Sequence, residues 1–270
     1  MNSQEYQAFT DQLVERLAAD ARVLGLVAAG SMAAVDYMPD RWSDHDFWVI
    51  TEGGAQAHFR SDFSWLPQSD QIVLAFQETA HGMKVVYASG HLLEYAVFEP
   101  DELVVARINS YRLLLDRADL AARLAAIQQQ TRAEAQANTS DPGFHLHQLL
   151  TNLLVGAGRY ARGERLSGHR FVKEHAVHHL LWLLSAQIPP AVPAALDNID
   201  PFRRFEQAFP ALGAEINACL LLPVPQAALE LLDLVEQSVQ YTLPDYPETA
   251  AQAVRRALEV AAQADSSFIG

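Results

Sequence analysis

The spacing of apolar positions changes character along this chain, and each change marks an element. From Ser3 to Arg22, Tyr6, Phe9, Leu13 and Leu17 recur at helical intervals with charges between them, which predicts a helix capped by Ser3. The apolar run Val23-Leu24-Gly25-Leu26-Val27-Ala28-Ala29 then reads as a strand that ends at a Gly30-Ser31 turn. A short helical stretch is expected around Met32 to Val35. The polar segment Asp36 to Ser43, interrupted by Pro39, reads as a loop into a second strand, Asp44 to Ile50. His58 to Leu66 is expected to be helical, stopped by Pro67. Three β-like runs follow: Gln71 to Gln77, Lys84 to Ala88 and His91 to Phe98. His81-Gly82 and Ser89-Gly90 punctuate them, and the last two are close enough to pair directly.

Beyond about residue 100 the pattern shifts. Asp101 to Ala137 is rich in Ala, Leu, Arg and Gln and has neither Gly nor Pro, so it reads as helical. Asn138 to Gly143 breaks it. From Phe144 onward, helical stretches alternate with Pro-containing loops such as 188–190 and 222–225. Leu229, Leu232, Val235 and Val239 form one core stripe, and Val254, Leu258 and Ala261 another. The expectation is an α+β chain. An N-terminal α/β domain carries a mixed sheet, and an all-helical bundle follows. The boundary falls within 100–143 and is placed between 120 and 121, giving domains 1–120 and 121–270.

Chemistry concentrates at the second strand. Residues i and i+2 of a strand point the same way, so Asp44 and Asp46 would leave one face side by side. Two carboxylates that close repel each other unless a cation lies between them. Hard oxygen ligands suit Mg²⁺, which takes one or two carboxylates plus substrate phosphates. The Gly30-Ser31 turn ahead of them offers close backbone approach and a hydroxyl to a phosphate chain.

The stretch GSMAAVDYMPDRWSDHDFWVI, a Gly-Ser followed by a D-x-[DE] pair, resembles the signature of the polymerase-β-like nucleotidyltransferase superfamily. That resemblance implies a third carboxylate on a later strand. Glu94 fits, as the ionisable member of the alternating set Leu92, Glu94, Ala96 and Phe98. It departs from the commoner aspartate by one methylene. The implied site has Asp44, Asp46 and Glu94 as catalytic and metal-binding residues for Mg²⁺, with Gly30 and Ser31 on a nucleoside triphosphate. Further stretches (residues 64–67, 93–98, 162–164 and 200–206) resemble the antibiotic nucleotidyltransferases, notably those acting on lincosamides and aminoglycosides. That branch implies transfer of a nucleoside monophosphate to a hydroxyl of a drug, and with it antibiotic resistance. Modification of a protein side chain (AMPylation), an antitoxin-like nucleotidyltransferase, and a nucleotide-binding regulatory module are the competing readings.

Composition narrows the partners. Half of the 270 residues are hydrophobic, ample for a core, and the formal net charge is −14. A nucleic-acid binder needs a basic stripe, and none appears, so the expected partners are the triphosphate and a small-molecule acceptor. An acidic surface is compatible with a cationic acceptor such as an amino sugar. Cys219 is the sole cysteine, so no intrachain disulfide forms. Met1 to Glu5 has neither a basic flank nor an apolar core, and no stretch is long and apolar enough for a membrane span. A cytoplasmic enzyme is expected, with the oligomeric state left open, a homodimer included.

The second half adds one cationic candidate. Arg159, Arg162, Arg165, Arg170 and Lys173 make a basic cluster in an acidic chain, and Lys173 is the residue expected to reach the phosphates. Histidines gather between His145 and His179, and His175 and His179 stand at i, i+4, but the segment 174–179 does not supply the H-E-x-x-H pattern of a zinc site. Glu94 is the expected proton acceptor for the attacking hydroxyl, with Glu164 or His175 as alternatives.

Overall fold

The computed structural model describes residues 1–266 and has the expected α+β architecture. It divides into two compact units, Met1–Ala133 and Glu134–Gly270.

In the first unit, helix α1 (Ser3–Ala19) opens on a capping box made by Asn2 and Glu5, so Asn2 takes the cap position expected for Ser3. Its buried stripe is Tyr6, Phe9, Thr10, Leu13 and Leu17. Strand β1 (Val23–Ala29), the single-turn α2 (Gly30–Ala33), β2 (His45–Thr51) and α3 (Gln56–Ser61) follow. Then come β3 (Ile72–Gln77), β4 (Gly82–Tyr87) and β5 (Leu92–Phe98). The expected β4–β5 pairing is present and antiparallel.

One strand escaped the sequence reading. Tyr111–Asp116 forms β6 inside the stretch expected to be one helix, and α4 occupies only Ala121–Thr139. Leucines favour helix, and no Gly or Pro announces a strand here. Pairing with β1 overrides that preference. The sheet order is β3-β4-β5-β2-β1-β6, with β2 and β5 parallel and the remaining pairs antiparallel.

The sheet buries both faces. On one, Phe47, Val49, Leu93, Tyr95 and Val97 meet Phe9, Leu13 and Leu17 of α1. On the other, Val27, Trp48, Ile50 and Phe98 meet Leu103, Leu124 and Ile127. This double burial explains why β1 and β2 read as nearly continuous apolar runs.

The second unit is helical among its described residues. Helix α6 (Arg165–Arg170) follows α5 (Pro142–Ala161), and α5, α7 (Val177–Gln187), α8 (Phe205–Ala208), α9 (Pro210–Leu220), α10 (Val224–Val239) and α11 (Glu248–Ser266) share one core. Between α6 and α7, Phe171–Ala176 widens into a π-type turn. The stripe predicted on α10 is in that core through Leu232, Val235 and Val239, with Leu229 half-buried against it. Val254, Leu258 and Ala261 of α11 complete it.

Candidate active site

The end of β1 sets the first part of the site. Gly30 has φ +50°, and a Cβ built on it would lie 3.2 Å from Oδ2 of Asp46 and 3.6 Å from the Tyr37 hydroxyl. Both the backbone conformation and the close carboxylate call for glycine. Ser31 follows and is buried, close to the Tyr6 phenol.

Asp46 lies on β2 and pairs in parallel register with Glu94 on β5. Directly paired residues of neighbouring strands share a face, so the structure brings these two acids onto one side of the sheet. Lys84 of β4 pairs with Glu94 from the other flank. Its Nζ lies 3.1 Å from Glu94 Oε1 and 2.9 Å from Glu78 Oε1. The bond to Glu78 and then that to Glu94 raise the Lys84 pKa, keeping the ammonium charged. Asp44 precedes β2, and its carbonyl accepts a 2.7 Å bond from the Tyr6 hydroxyl. Burial, followed by the nearby Asp44 and Asp46 charges, raises the Tyr6 pKa, while the Ser31 hydroxyl opposes it. Tyr6 therefore remains a protonated donor.

A buried hydrogen-bond chain supports the segment between the two aspartates. The Thr10 hydroxyl donates to the Tyr6 carbonyl at 3.0 Å, so it accepts from His45 Nε2 at 3.0 Å. His45 Nδ1 is then the acceptor for His91 Nε2–H at 2.8 Å. The Tyr6 ring stacks on His45 at 3.8 Å. Burial first, and then His91, push His45 down to about 3. Burial likewise pushes His91 down to about 4. Both rings are neutral at pH 7, and the chain holds His45 inward while its two neighbours are left for the site.

A divalent ion can be tested against these donors. Among the described residues, no group of three His, Cys, Asp or Glu side chains is gathered closely enough to hold a metal. Asp46 and Glu94 share a face, with Asp44 two residues ahead of Asp46, but Glu94 is engaged by Lys84. Asp44 and Asp46 fit Mg²⁺ in the manner that uses one or two carboxylates and takes remaining ligands from phosphate and water. Asp44 also borders a cleft of about 670 Å³, whose walls include Gln12, Trp42, Gln71 and His91.

The second-half candidates are placed differently. Lys173 Nζ donates to the carbonyl of Leu220 at 2.7 Å and to that of Leu222 at 2.5 Å, closing the end of α9. Burial lowers its pKa. Arg162 pairs with Glu164, Arg170 with Glu174, and Arg159 bonds Ser167 beside the Phe171 ring. His145 donates from Nε2 to the Asn138 carbonyl, so its Nδ1 accepts from His179 Nδ1 at 2.9 Å. His175 packs edge-on to Phe171.

Sequence reasoning passed over Tyr6, Thr10, Tyr37, Lys84 and the two buried histidines. Tyr6 and Thr10, four apart on the buried face of α1, were the available signal: polar atoms on a core stripe need partners.

No family model matches the chain, and no curated protein matches it. Among solved structures, it is similar to one described as an aminoglycoside 6-adenyltransferase from Bacillus subtilis. The two are 10% identical over 92% of this chain and 97% of that one, with a TM-score of 0.34. A likeness at that level carries no argument about chemistry. No described helix is long and apolar enough to cross a membrane.

Proposed function

We propose that the first unit is a Mg²⁺-dependent nucleotidyltransferase that moves a nucleoside monophosphate from a nucleoside triphosphate to a hydroxyl of a small molecule. The observation that carries this reading is the packing of Asp46 against Gly30, which sets a carboxylate directly beside the Gly30-Ser31 turn.

Asp44 and Asp46 are the residues that would hold a divalent ion, which when bound supplies neutralisation of phosphate charge. Gly30 and Ser31 are the turn residues that would meet the triphosphate, as the sequence motif implies. Glu94 accepts the proton of the attacking hydroxyl, with Lys84 balancing its charge. The acceptor oxygen bonds to the α-phosphorus as the bond to the pyrophosphate oxygen breaks. The cleft that Asp44 borders is lined by none of Gly30, Ser31, Asp46 and Glu94 and is not assigned to the acceptor. The sequence motifs favour a lincosamide or an aminoglycoside as acceptor. Lys173 closes α9 and is not assigned to the phosphates.

The Lys84–Glu94 ion pair gives a second reading some support: a module that binds nucleotide without turnover, its third acid neutralised. Mass spectrometry separates the two. The protein is incubated with Mg²⁺, each common nucleoside triphosphate, and a panel of amino sugars and lincosamides. Addition of one nucleoside monophosphate to a small molecule supports the proposal. Addition to a protein marks AMPylation-type chemistry instead, and nucleotide binding with no product supports the regulatory module.

A further inference from the structure

The loop between α2 and β2 leaves the helix through Ala34, whose φ of +53° is left-handed and whose N–H bonds the Ser31 carbonyl at 3.1 Å. An alanine takes that conformation only where its surroundings hold it. Beyond this turn the side chains part. Val35 and Met38 are 61% and 73% exposed, whereas Tyr37 between them is half-buried. The Tyr37 hydroxyl lies 3.6 Å from the point where a Cβ on Gly30 would stand, and Asp46 Oδ2 lies 3.2 Å from the same point. The two oxygens are therefore no farther apart than the sum of those distances. The Tyr37 phenol is also close to that of Tyr6. Among the described residues, the Tyr37 ring belongs to neither apolar core of the first unit. Core packing does not explain why an exposed loop turns this phenol inward.

We propose that Tyr37 is a positioning residue for the polyphosphate of the substrate, its phenol donating a hydrogen bond to a phosphate oxygen held beside Gly30. This role rests on the nucleotidyltransferase reading, and it makes the phosphate chain, rather than the base, what the loop recognises.

The chemistry of the site suits a phenol better than other donors. An ionised Asp46 and a phosphate oxygen both accept hydrogen bonds, so a side chain that serves them has to donate. A Lys or Arg at position 37 would ion-pair with Asp46 and compete with a divalent ion for its carboxylate. A phenol donates one bond without adding charge, which leaves Asp46 negative for the metal. A bond to phosphate is also indifferent to the base. Every nucleoside triphosphate can accept it, and so can inorganic tripolyphosphate.

The test uses the full chain. Calorimetric titration compares wild type with Tyr37→Phe, first with Mg²⁺-tripolyphosphate and then with each common Mg²⁺-nucleoside triphosphate. Thermal unfolding confirms that the variant is folded, and Mn²⁺ binding without any phosphate ligand reports on Asp46 itself. Losing a hydrogen bond to a charged group should weaken both kinds of phosphate ligand by about tenfold or more, while Mn²⁺ affinity keeps its wild-type value. Tighter binding by Tyr37→Phe would overturn the role, because the phenol would then be an obstruction. So would a parallel fall in Mn²⁺ affinity, because the phenol would then be a prop for Asp46. A wild type that binds both ligands, matched by Tyr37→Phe, defeats this role alone. A wild type that binds neither defeats the nucleotidyltransferase reading together with it.

Discussion

Asp46 and Glu94 stand opposite each other on neighbouring parallel strands, so both acids leave the same face of the sheet. Lys84 continues that row from the next strand and holds Glu94 at 3.1 Å. Replacing Lys84 by Met should release Glu94 toward Asp46 and make the face more negative. The expected outcome is tighter binding of Mn²⁺, used as a paramagnetic probe, with little change in stability because the pair is partly exposed. Unchanged or weaker Mn²⁺ binding would mean that Glu94 takes no part in holding a cation.

Gly30→Ala should be costly out of proportion to its size. The left-handed backbone costs an alanine roughly 1–2 kcal/mol, and its methyl would press on Asp46 Oδ2. Denaturant unfolding should show that loss, accompanied by weaker nucleotide binding. Gly54→Ala is the control. It too has positive φ, but a Cβ there meets nothing within 4 Å, so it should lose stability alone.

Tyr6→Phe removes the phenol that bonds the Asp44 carbonyl. Its expected cost in stability is about 1 kcal/mol, because the ring and its stacking on His45 remain. Nucleotide affinity should fall by more than that figure alone implies, since the main chain at Asp44 loses its anchor. Titration calorimetry measures it.

Acid should destabilise the first unit through its histidine pair. His45 and His91 titrate near 3 and 4 when folded, against about 6.5 in the unfolded chain. Between those values the unfolded chain binds protons that the folded one refuses. Stability is therefore full above about pH 6.5 and falls as pH drops toward 4, by at most roughly 1.4 kcal/mol per pH unit for each shifted group. Thermal unfolding across that range should show the slope, and His45→Asn should flatten it while lowering Tm at neutral pH.

Lys173→Met tests the helical unit. The Leu220 and Leu222 carbonyls would lose their donor, costing roughly 1–3 kcal/mol. Nucleotide affinity should be unchanged.

What the sequence made legible follows from the range of the forces involved. Local signals gave most elements of the sheet, because apolar period and Gly turns act within a few residues. They also placed Glu94 on a face with Leu92 and Ala96, and pairing of β5 with β2 puts Asp46 there too. Distant partners were not legible. Lys84 sits on Glu94 only because β4 pairs with β5, and Lys173 meets Leu220 only through tertiary packing. The strand Tyr111–Asp116 was lost for the same reason, since β1 rather than its own leucines makes it extended.

The most direct measurement is calorimetric titration of nucleoside triphosphates into the wild type, Asp44→Asn and Asp46→Asn, each with and without Mg²⁺. Binding should require Mg²⁺ in the wild type and be lost, about a hundredfold or more, in both folded variants. Equal affinity in all three proteins, or binding indifferent to Mg²⁺, would contradict it.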